Sequence, residues 1–430
     1  MKVPFKLLIK AVTQTGLRYA GGIKMEIIKG GVTAAKGYKA AGIYAGIKRK
    51  RKDMALVYST VPARAAGTFT TNVVKAAPVK WDIELIKEAE TVQAVVLNSG
   101  VANACTGALG DENNYKMAEA VAHNLNLSVK EVLTASTGVI GQQLPISVIT
   151  EGTRLLAAAL EDSIDSGLQA AEAIMTTDTY SKEYAVSTTI GGSTVIIGGM
   201  SKGSGMIHPN MATMLGVVTT DAAISKELLQ EAVSADVVDS FNMISVDRDT
   251  STNDSLILLA NGLAGNAEIT EKNQDYYEFC KALKTVTTEL AKKMAADGEG
   301  ATKLFETVVI GAKTKEDAVV LSKSIITSNL VKTAVYGNDA NWGRILCAMG
   351  YSGVDFNPDL VDLYIESADG KLKLVENGMA TGYSEETATK ILSAKEVRAI
   401  ADIKMGEETA TAWGCDLTYD YIKINADYRS

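Results

Sequence analysis

Strand-like and helix-like segments alternate along almost the whole of this 430-residue chain, which constrains the fold more than any other feature of the sequence. Residues 92–97 (VQAVVL) are apolar except for one glutamine, which predicts a buried strand. Residues 188–197 are typical of a hairpin that turns at two glycines. The longest helical pattern covers residues 273–296, and the Tyr- and Ile-rich tail at 417–428 predicts a closing strand. Such alternation predicts a compact mixed α/β fold without a clear domain break.

Composition excludes several function classes. Hydrophobic residues make up 47% and charged residues 22% of the chain, which is typical of a folded protein. Two histidines, and four cysteines that lie far apart, leave little material for a metal centre or a disulfide framework, so we expect neither. The net charge of −8 disfavours duplex nucleic acid as a partner. No apolar run reaches the roughly 18 residues of a membrane span, so we expect no membrane partner.

The first 24 residues contain five basic residues and no acidic one. Their longest apolar stretch, residues 7–9, is too short for the apolar region of a signal peptide. We expect residues 1–24 to be a loosely ordered extension, or a segment ahead of a true start at Met25. A transit peptide is the alternative for this segment. For the protein as a whole we expect a cytoplasmic location.

Five consecutive basic residues stand at positions 48–52, just before a strand-like segment. A run of this kind is typical of a solvated turn, which is the expectation here. Binding of a phosphate group is the alternative.

A glycine-rich loop from Lys202 leads through Ala212 and Thr213 into a predicted strand. A threonine hydroxyl is a poor nucleophile without a base beside it, and the α-amino group of the same residue can be that base once the preceding peptide bond is cut. With a pKa of about 7.7–8.0, roughly 10–20% of such an amine is unprotonated at pH 7. An ordinary loop that enters a strand is the alternative.

A second segment that could carry chemistry is residues 134–141, which follow a predicted strand and contain glycines. Backbone N–H groups in such a turn can point at a developing oxyanion, and the Thr137 hydroxyl next to Gly138 is a further donor. From spacing alone, a glycine turn without chemistry is the alternative.

The sequence resembles the glutamate N-acetyltransferase family of arginine biosynthesis, also called ornithine acetyltransferases. Six motifs carry the resemblance in the family's order: STGVIGQQLP (136–145), IMTTDT (174–179), KGSGMIHPNMATMLGVVTTDA (202–222), DGEGATK (297–303), YGNDANWGRI (336–345) and INADYRS (424–430). The similarity extends from about Gly30 to Ser430. Val101 stands where the family favours Asn, and Ser430 where Thr is common.

The resemblance implies that the precursor cuts itself between Ala212 and Thr213. An alpha fragment (25–212) and a beta fragment (213–430) would then remain intertwined, with Thr213 as the N-terminal nucleophile. Thr137 and Gly138 match the oxyanion-hole pair of the family. The positions that match substrate contacts are Thr176, Lys202, Thr213, Glu299, Asn425 and Ser430.

The implied activity is transfer of an acetyl group from N2-acetylornithine to glutamate through an acetylated Thr213. The family includes members that also accept acetyl-CoA, so acetyl-CoA is a further co-substrate to consider, with no other cofactor and no metal expected. The family also implies a dimer of cleaved heterodimers. Two alternatives remain: a self-processing amide hydrolase or aminopeptidase, and a non-catalytic amino-acid sensor.

Overall fold

Two β-sheets flanked by helices form the protein, in a computed structural model that describes residues 17–18, 24–208 and 214–427. The strands in these residues are β1 (Leu17–Arg18), β2 (Lys24–Ile28), β3 (Tyr38–Ile43), β4 (Met54–Phe69), β5 (Val92–Val101), β6 (Val132–Val139), β7 (Lys182–Ile190), β8 (Ser193–Lys202), β9 (Leu215–Thr220), β10 (Ile244–Ser245), β11 (Ser255–Ala260), β12 (Leu304–Ala312), β13 (Asp362–Ser367), β14 (Gly370–Glu376), β15 (Met379–Ala380), β16 (Glu396–Asp402) and β17 (Glu408–Cys415). The α-helices are α1 (Ala77–Glu88), α2 (Gly107–Leu125), α3 (Ile146–Ala158), α4 (Ile164–Ala173), α5 (Lys226–Val238), α6 (Gln274–Ala296), α7 (Lys315–Thr327), α8 (Asn329–Tyr336), α9 (Trp342–Gly350), α10 (Glu385–Leu392) and α11 (Tyr419–Ala426).

The larger sheet joins strands from both sides of the proposed cleavage position. Its order is β1-β2-β7-β8-β9-β11-β4-β5-β6, and β3 also pairs with β4. Strand β8 pairs antiparallel with β9, β9 pairs parallel with β11, and β11 pairs antiparallel with β4. Residues before 212 and after 213 therefore share one hydrogen-bonded sheet, with one intertwined core.

The second sheet has the order β10-β17-β12-β16-β13-β14-β15 and is built from residues after 213. Between the two sheets runs helix α6, which packs on β7 and β8 and also contacts β12 and β17. Its buried face carries Phe279, Leu283, Val286, Leu290 and Met294, at spacings of three and four residues. This helix ends at Ala296, directly before the 297–303 motif, and so places that motif at the junction of the sheets.

Several predictions from the pattern are confirmed. The hairpin is formed by β7 and β8. Gly191 and Gly192 have φ angles of +56° and +81°, and positive φ at both central residues is typical of a two-residue type I′ hairpin turn. The buried strand lies within β5, and the long helical pattern is α6, whose first turn is capped by the Asn273 side chain.

The predicted closing strand at 417–428 is wrong, because this segment contains helix α11. Tyr and Ile favour strands through the packing they gain on a half-buried sheet surface. Here Tyr419 and Ile422 are 73% and 66% exposed, so that gain is missing. Tyr421 and Asn425, four residues apart, instead share one side of the helix, and the Asn425 amide donates to the Tyr421 carbonyl.

Among the helices in the described ranges, none is by itself long and apolar enough to cross a membrane. Only α7 and α8 taken together, with a bend of 58° between them, reach the necessary length and composition.

Candidate active site

A cavity of about 280 Å³ lies where strand ends of the larger sheet meet the C-terminal end of α6 and helix α11. This volume is near the lower end of the range for small-molecule sites, roughly 300–1,000 Å³. Six residues predicted for the site line this one cavity: Thr137, Gly138, Thr176, Lys202, Glu299 and Asn425. The fold thus brings together side chains from five separate sequence motifs.

Thr137 and Gly138 stand at the end of β6, which pairs in parallel with β5. Gly138 has a φ of +133°, which side-chain-bearing residues rarely adopt. A Cβ atom at Gly138 would also lie 2.2 Å from the carbonyl carbon of Gly100 on the neighbouring strand. Glycine is therefore required at position 138, because any side chain would push β6 away from β5.

Lys202 ends β8 and is buried. Its Nζ atom lies 3.3 Å from Thr137 Oγ1, to which it donates a hydrogen bond. Burial lowers the pKa of Lys202, while the carboxylates of Asp178 and Glu299 act in the opposite direction. The ammonium group is thus held in a poorly solvated site, beside the hydroxyl predicted to serve the oxyanion.

Asp178 fixes two walls of the cavity. Its carboxylate accepts hydrogen bonds from the N–H groups of Thr176 at 2.9 Å and Gly203 at 2.8 Å. It also forms an ion pair with Lys182 at 2.7 Å. Burial would raise the pKa of Asp178, but the charges of Lys202 and Lys182 hold the pKa of that carboxyl well below its usual range. The ionised group therefore ties the 174–179 motif to the 202–222 motif.

Lys182 extends this network to the 297–303 motif. It is fully buried and also pairs with Asp297 at 2.6 Å. The Asp297 carbonyl accepts a hydrogen bond from Ser204 Oγ at 2.6 Å, and the Glu299 N–H donates to the Ser204 carbonyl at 2.9 Å. These contacts fix the backbone that leads into Glu299.

Glu299 and Asn425 bring the two C-terminal motifs of the sequence together in the cavity. Asn425 Nδ2 donates to Glu299 Oε2 at 2.7 Å, and Glu299 is only 6% exposed. The Glu299 carboxylate also lies over Gly205, where a Cβ atom would come within 2.3 Å of the carboxyl carbon. Within the described ranges no hydrogen bond to the second oxygen, Oε1, is present, so this oxygen can pair with a cationic ligand group.

The segment 251–254 also lines the cavity, although it belongs to none of the six sequence motifs. Asp254 is 2% exposed and accepts a hydrogen bond from the Met214 N–H, and its Oδ2 atom has no hydrogen-bond partner among the residues that the structure describes. Burial raises the pKa of Asp254 well above its usual range, although Ser251 and Lys202 oppose this. The signal that could have indicated this segment is the polar run STND directly before the apolar strand β11.

Asn253 shows how that segment is anchored. Its Nδ2 atom donates to the carbonyls of Ala102 at 2.6 Å and Ser136 at 2.8 Å. The amide therefore joins the loop before β11 to the strand that carries Thr137.

Three predicted site residues, Ala212, Thr213 and Ser430, lie outside the described residues, as does most of 1–24. Met214, which follows Thr213 in sequence, lines the cavity together with Leu215. The described ranges contain no group of three or more His, Cys, Asp or Glu side chains placed to hold a metal ion.

Comparisons with known proteins cover most of the chain. A model of the ArgJ family matches residues 39–430. A protein named arginine biosynthesis bifunctional protein ArgJ from Thermotoga neapolitana is 50% identical over 396 residues, which cover 92% of this chain and 99% of that protein. The protein of the same name from Symbiobacterium thermophilum is 52% identical over 409 residues, with coverages of 94% and 100%.

Two solved structures are similar over part of the chain. The arginine biosynthesis bifunctional protein ArgJ from Bacillus halodurans is 46% identical, with 44% of this chain and 99% of that chain covered and a TM-score of 0.42. The ornithine acetyltransferase from Mycobacterium tuberculosis, solved as a complex with ornithine, is 39% identical, with coverages of 44% and 100% and a TM-score of 0.41.

Proposed function

The chain belongs to the ArgJ family, and on that premise we propose how its cavity performs the acetyl transfer of arginine biosynthesis. The enzyme moves the acetyl group of N2-acetylornithine to glutamate, forming ornithine and N-acetylglutamate. The observation that carries the proposal is the convergence of Thr137, Lys202 and Glu299 on one cavity, together with Gly138, Thr176 and Asn425.

We propose that the nucleophile is the hydroxyl of Thr213, freed as an N-terminal residue by cleavage after Ala212. Its α-amine takes the hydroxyl proton as the oxygen attacks the acetyl carbonyl, and ornithine leaves with that proton. Glutamate then attacks the acetyl ester and regenerates Thr213. Support comes from Met214, which lines the cavity and is joined to Thr213 by one peptide bond.

The tetrahedral intermediate of each half-reaction carries a negative oxygen, which we assign to Thr137 and Gly138. Because Lys202 donates to Thr137 Oγ1, that oxygen acts as an acceptor there, and its own proton remains free for the substrate oxyanion. The buried ammonium group beside it adds a positive charge, and the attraction of this charge to the oxyanion is stronger because water is excluded from the site. We propose that Lys202 also pairs with the α-carboxylate that both substrates carry, so that it acts in substrate binding as well as in the transition state.

The remaining polar groups complement an amino acid. The carboxylate of Glu299, held by Asn425, suits the amino or amide nitrogen that acetylornithine and glutamate share. Thr176, and Ser430 at the C-terminus, complete the proposed substrate contacts. Oxygen and nitrogen groups of both charges around a small cavity favour a zwitterionic ligand.

The relatives are named bifunctional, and we propose that this chain likewise has an amino-acid N-acetyltransferase activity with acetyl-CoA as donor. We also propose that the two fragments remain one unit, that two such units form a dimer, and that the enzyme works in the cytoplasm. Size-exclusion chromatography with light scattering and cell fractionation test these last two points.

The test of the proposed function is a transfer assay with purified protein. Acetylornithine and isotope-labelled glutamate should yield labelled N-acetylglutamate, with much less free acetate. If acetate is the main product whatever the glutamate concentration, the protein is instead the related amide hydrolase. Absence of any reaction, with an uncut chain, would leave the non-catalytic amino-acid sensor as the better reading.

A further inference from the structure

The five basic residues at 48–52, here termed the basic loop, have a defined conformation. The loop lies between β3 and β4, and the buried carboxylate of Asp53 accepts the N–H groups of Ala45 at 2.6 Å, Gly46 at 3.1 Å and Lys48 at 2.9 Å. Three backbone donors on one carboxylate hold the chain in a fixed turn. The side chains of the loop are therefore displayed from an ordered base.

The basic loop touches the wall of the cavity. Lys48 Nζ donates to the Met175 carbonyl at 2.9 Å, and an Arg51 guanidinium nitrogen lies 3.4 Å from the Thr176 carbonyl. Thr176 and Thr177 line the cavity directly. The basic loop is thus separated from the proposed acetyl-transfer site by one strip of backbone.

The charges of the loop are only partly neutralised. Lys52 pairs with Glu172 at 2.9 Å, whereas Arg49 and Lys50 are exposed and have no ion-pair partner in the part of the chain that the structure describes. Burial lowers the pKa of Lys48 to about 8, and the nearby charges of Arg51 and Lys202 act in the same direction. In a chain of net charge −8, such a cluster favours an anionic ligand.

We propose that the basic loop binds the phosphate groups of acetyl-CoA when this thioester is the acetyl donor. Acetylornithine carries no phosphate and would not use the loop, whereas the phosphates of acetyl-CoA lie at the far end of the molecule from its acetyl group. The basic loop lies beside the cavity and not inside it. Its position therefore matches a ligand whose phosphates are far from its acetyl carbonyl carbon.

The inference rests on the proposed function, since it requires acetyl transfer in the adjacent cavity. In the step it serves, the Thr213 oxygen attacks the thioester carbonyl carbon and the carbon–sulfur bond breaks. The hydroxyl proton passes through the α-amine to the thiolate, which leaves as the free thiol of CoA. The acetyl ester then reacts with glutamate as it does after acetylornithine.

The experiment compares three acetyl donors on the double variant Arg49→Ser/Lys50→Ser. The donors are acetyl-CoA, S-acetylpantetheine, which has the same thioester arm without phosphates, and acetylornithine. We expect the KM for acetyl-CoA to rise about tenfold, which corresponds to the loss of roughly one charge-assisted contact. The KM values for S-acetylpantetheine and acetylornithine should stay unchanged. Added salt should reproduce the loss in the wild type, because it screens exposed charges.

The matched control is Lys390→Ser/Lys395→Ser, which also removes two positive charges. Both positions are exposed, the first within α10 and the second three residues after it. This control should keep the wild-type KM for acetyl-CoA. The inference is overturned if the basic-loop variant uses acetyl-CoA as well as the control, or if it loses all three donors equally. If the wild type transfers from acetylornithine but never from acetyl-CoA, both the inference and the second proposed activity fail, and the acetylornithine reaction stands.

Discussion

Lys202 Nζ donates a hydrogen bond to Thr137 Oγ1 across 3.3 Å, joining the end of β8 to the end of β6. The lysine is buried, so its charge acts in a medium that screens it weakly. The bond also directs the threonine proton away from Lys202. This geometry supports our proposal that both residues stabilise the oxyanion of the reaction.

Replacing Lys202 with methionine should lower kcat for both half-reactions, since both pass through an oxyanion. We expect a loss on the order of 100-fold, the lower range for removal of one oxyanion-hole donor. Lys390→Met, at an exposed position on α10, should leave kcat unchanged. Single-turnover rates measure each step. A rise in KM with unchanged kcat would restrict Lys202 to ground-state binding of the α-carboxylate.

Thr137→Ala should reduce kcat by about 10²–10³ with little change in KM, because its hydroxyl is needed mainly in the transition state. Thr137→Ser keeps the hydroxyl and should recover most of the activity, which separates loss of the donor from loss of packing. Steady-state kinetics of the two variants with acetylornithine provide the comparison. Equal loss in both variants would contradict the role of the hydroxyl.

Glu299→Gln should impair acetylation of Thr213 by acetylornithine and its deacetylation by glutamate by similar factors. Each step would lose one charge-assisted hydrogen bond, about 1.5–3 kcal/mol. Glutamine preserves the shape of the side chain beside Gly205 and Asn425, so the variant should fold. If only the ornithine half-reaction suffers, Glu299 contacts the side-chain ammonium of ornithine, and our assignment is wrong.

The rate of acetyl transfer should rise with pH as the α-amine of Thr213 loses its proton, with a midpoint near the usual value of about 7.7–8.0. His208 should not contribute this limb. Burial, with the charges of Lys323 and Arg248, lowers the pKa of His208 to about 4, so the ring is already neutral at pH 7. The pH–rate profile of His208→Asn should therefore keep the wild-type midpoint. A shifted or missing limb would make His208 the base.

Periodicity was sufficient for the elements whose burial decides their structure. The apolar run in β5 and the apolar stripe of α6 both face the core, so residue type and spacing agreed with the fold. The strand predicted at 417–428 was wrong because α11 has no buried residue, so its tyrosines and isoleucines gain none of the sheet packing from which their strand propensity arises.

Some residues of the candidate site could likewise be predicted from the sequence, and others could not. Thr137, Lys202 and Glu299 could be named from family motifs, and the cavity collects them. Asp254 could not, because the polar run before β11 does not by itself indicate which part of the fold it meets. Its position in the cavity follows from the parallel pairing of β11 with β9, which places Asp254 beside Met214, and such pairing is a long-range property.

The central claim is that Thr213 becomes an N-terminal nucleophile, and N-terminal sequencing with intact mass measurement of the purified protein tests it most directly. The account predicts two fragments, the second beginning Thr213-Met214-Leu215, whereas Thr213→Ala should remain one uncut and inactive chain because no hydroxyl attacks the Ala212 carbonyl. A wild-type chain that is intact across 212–213 and fully active in acetyl transfer would contradict the account.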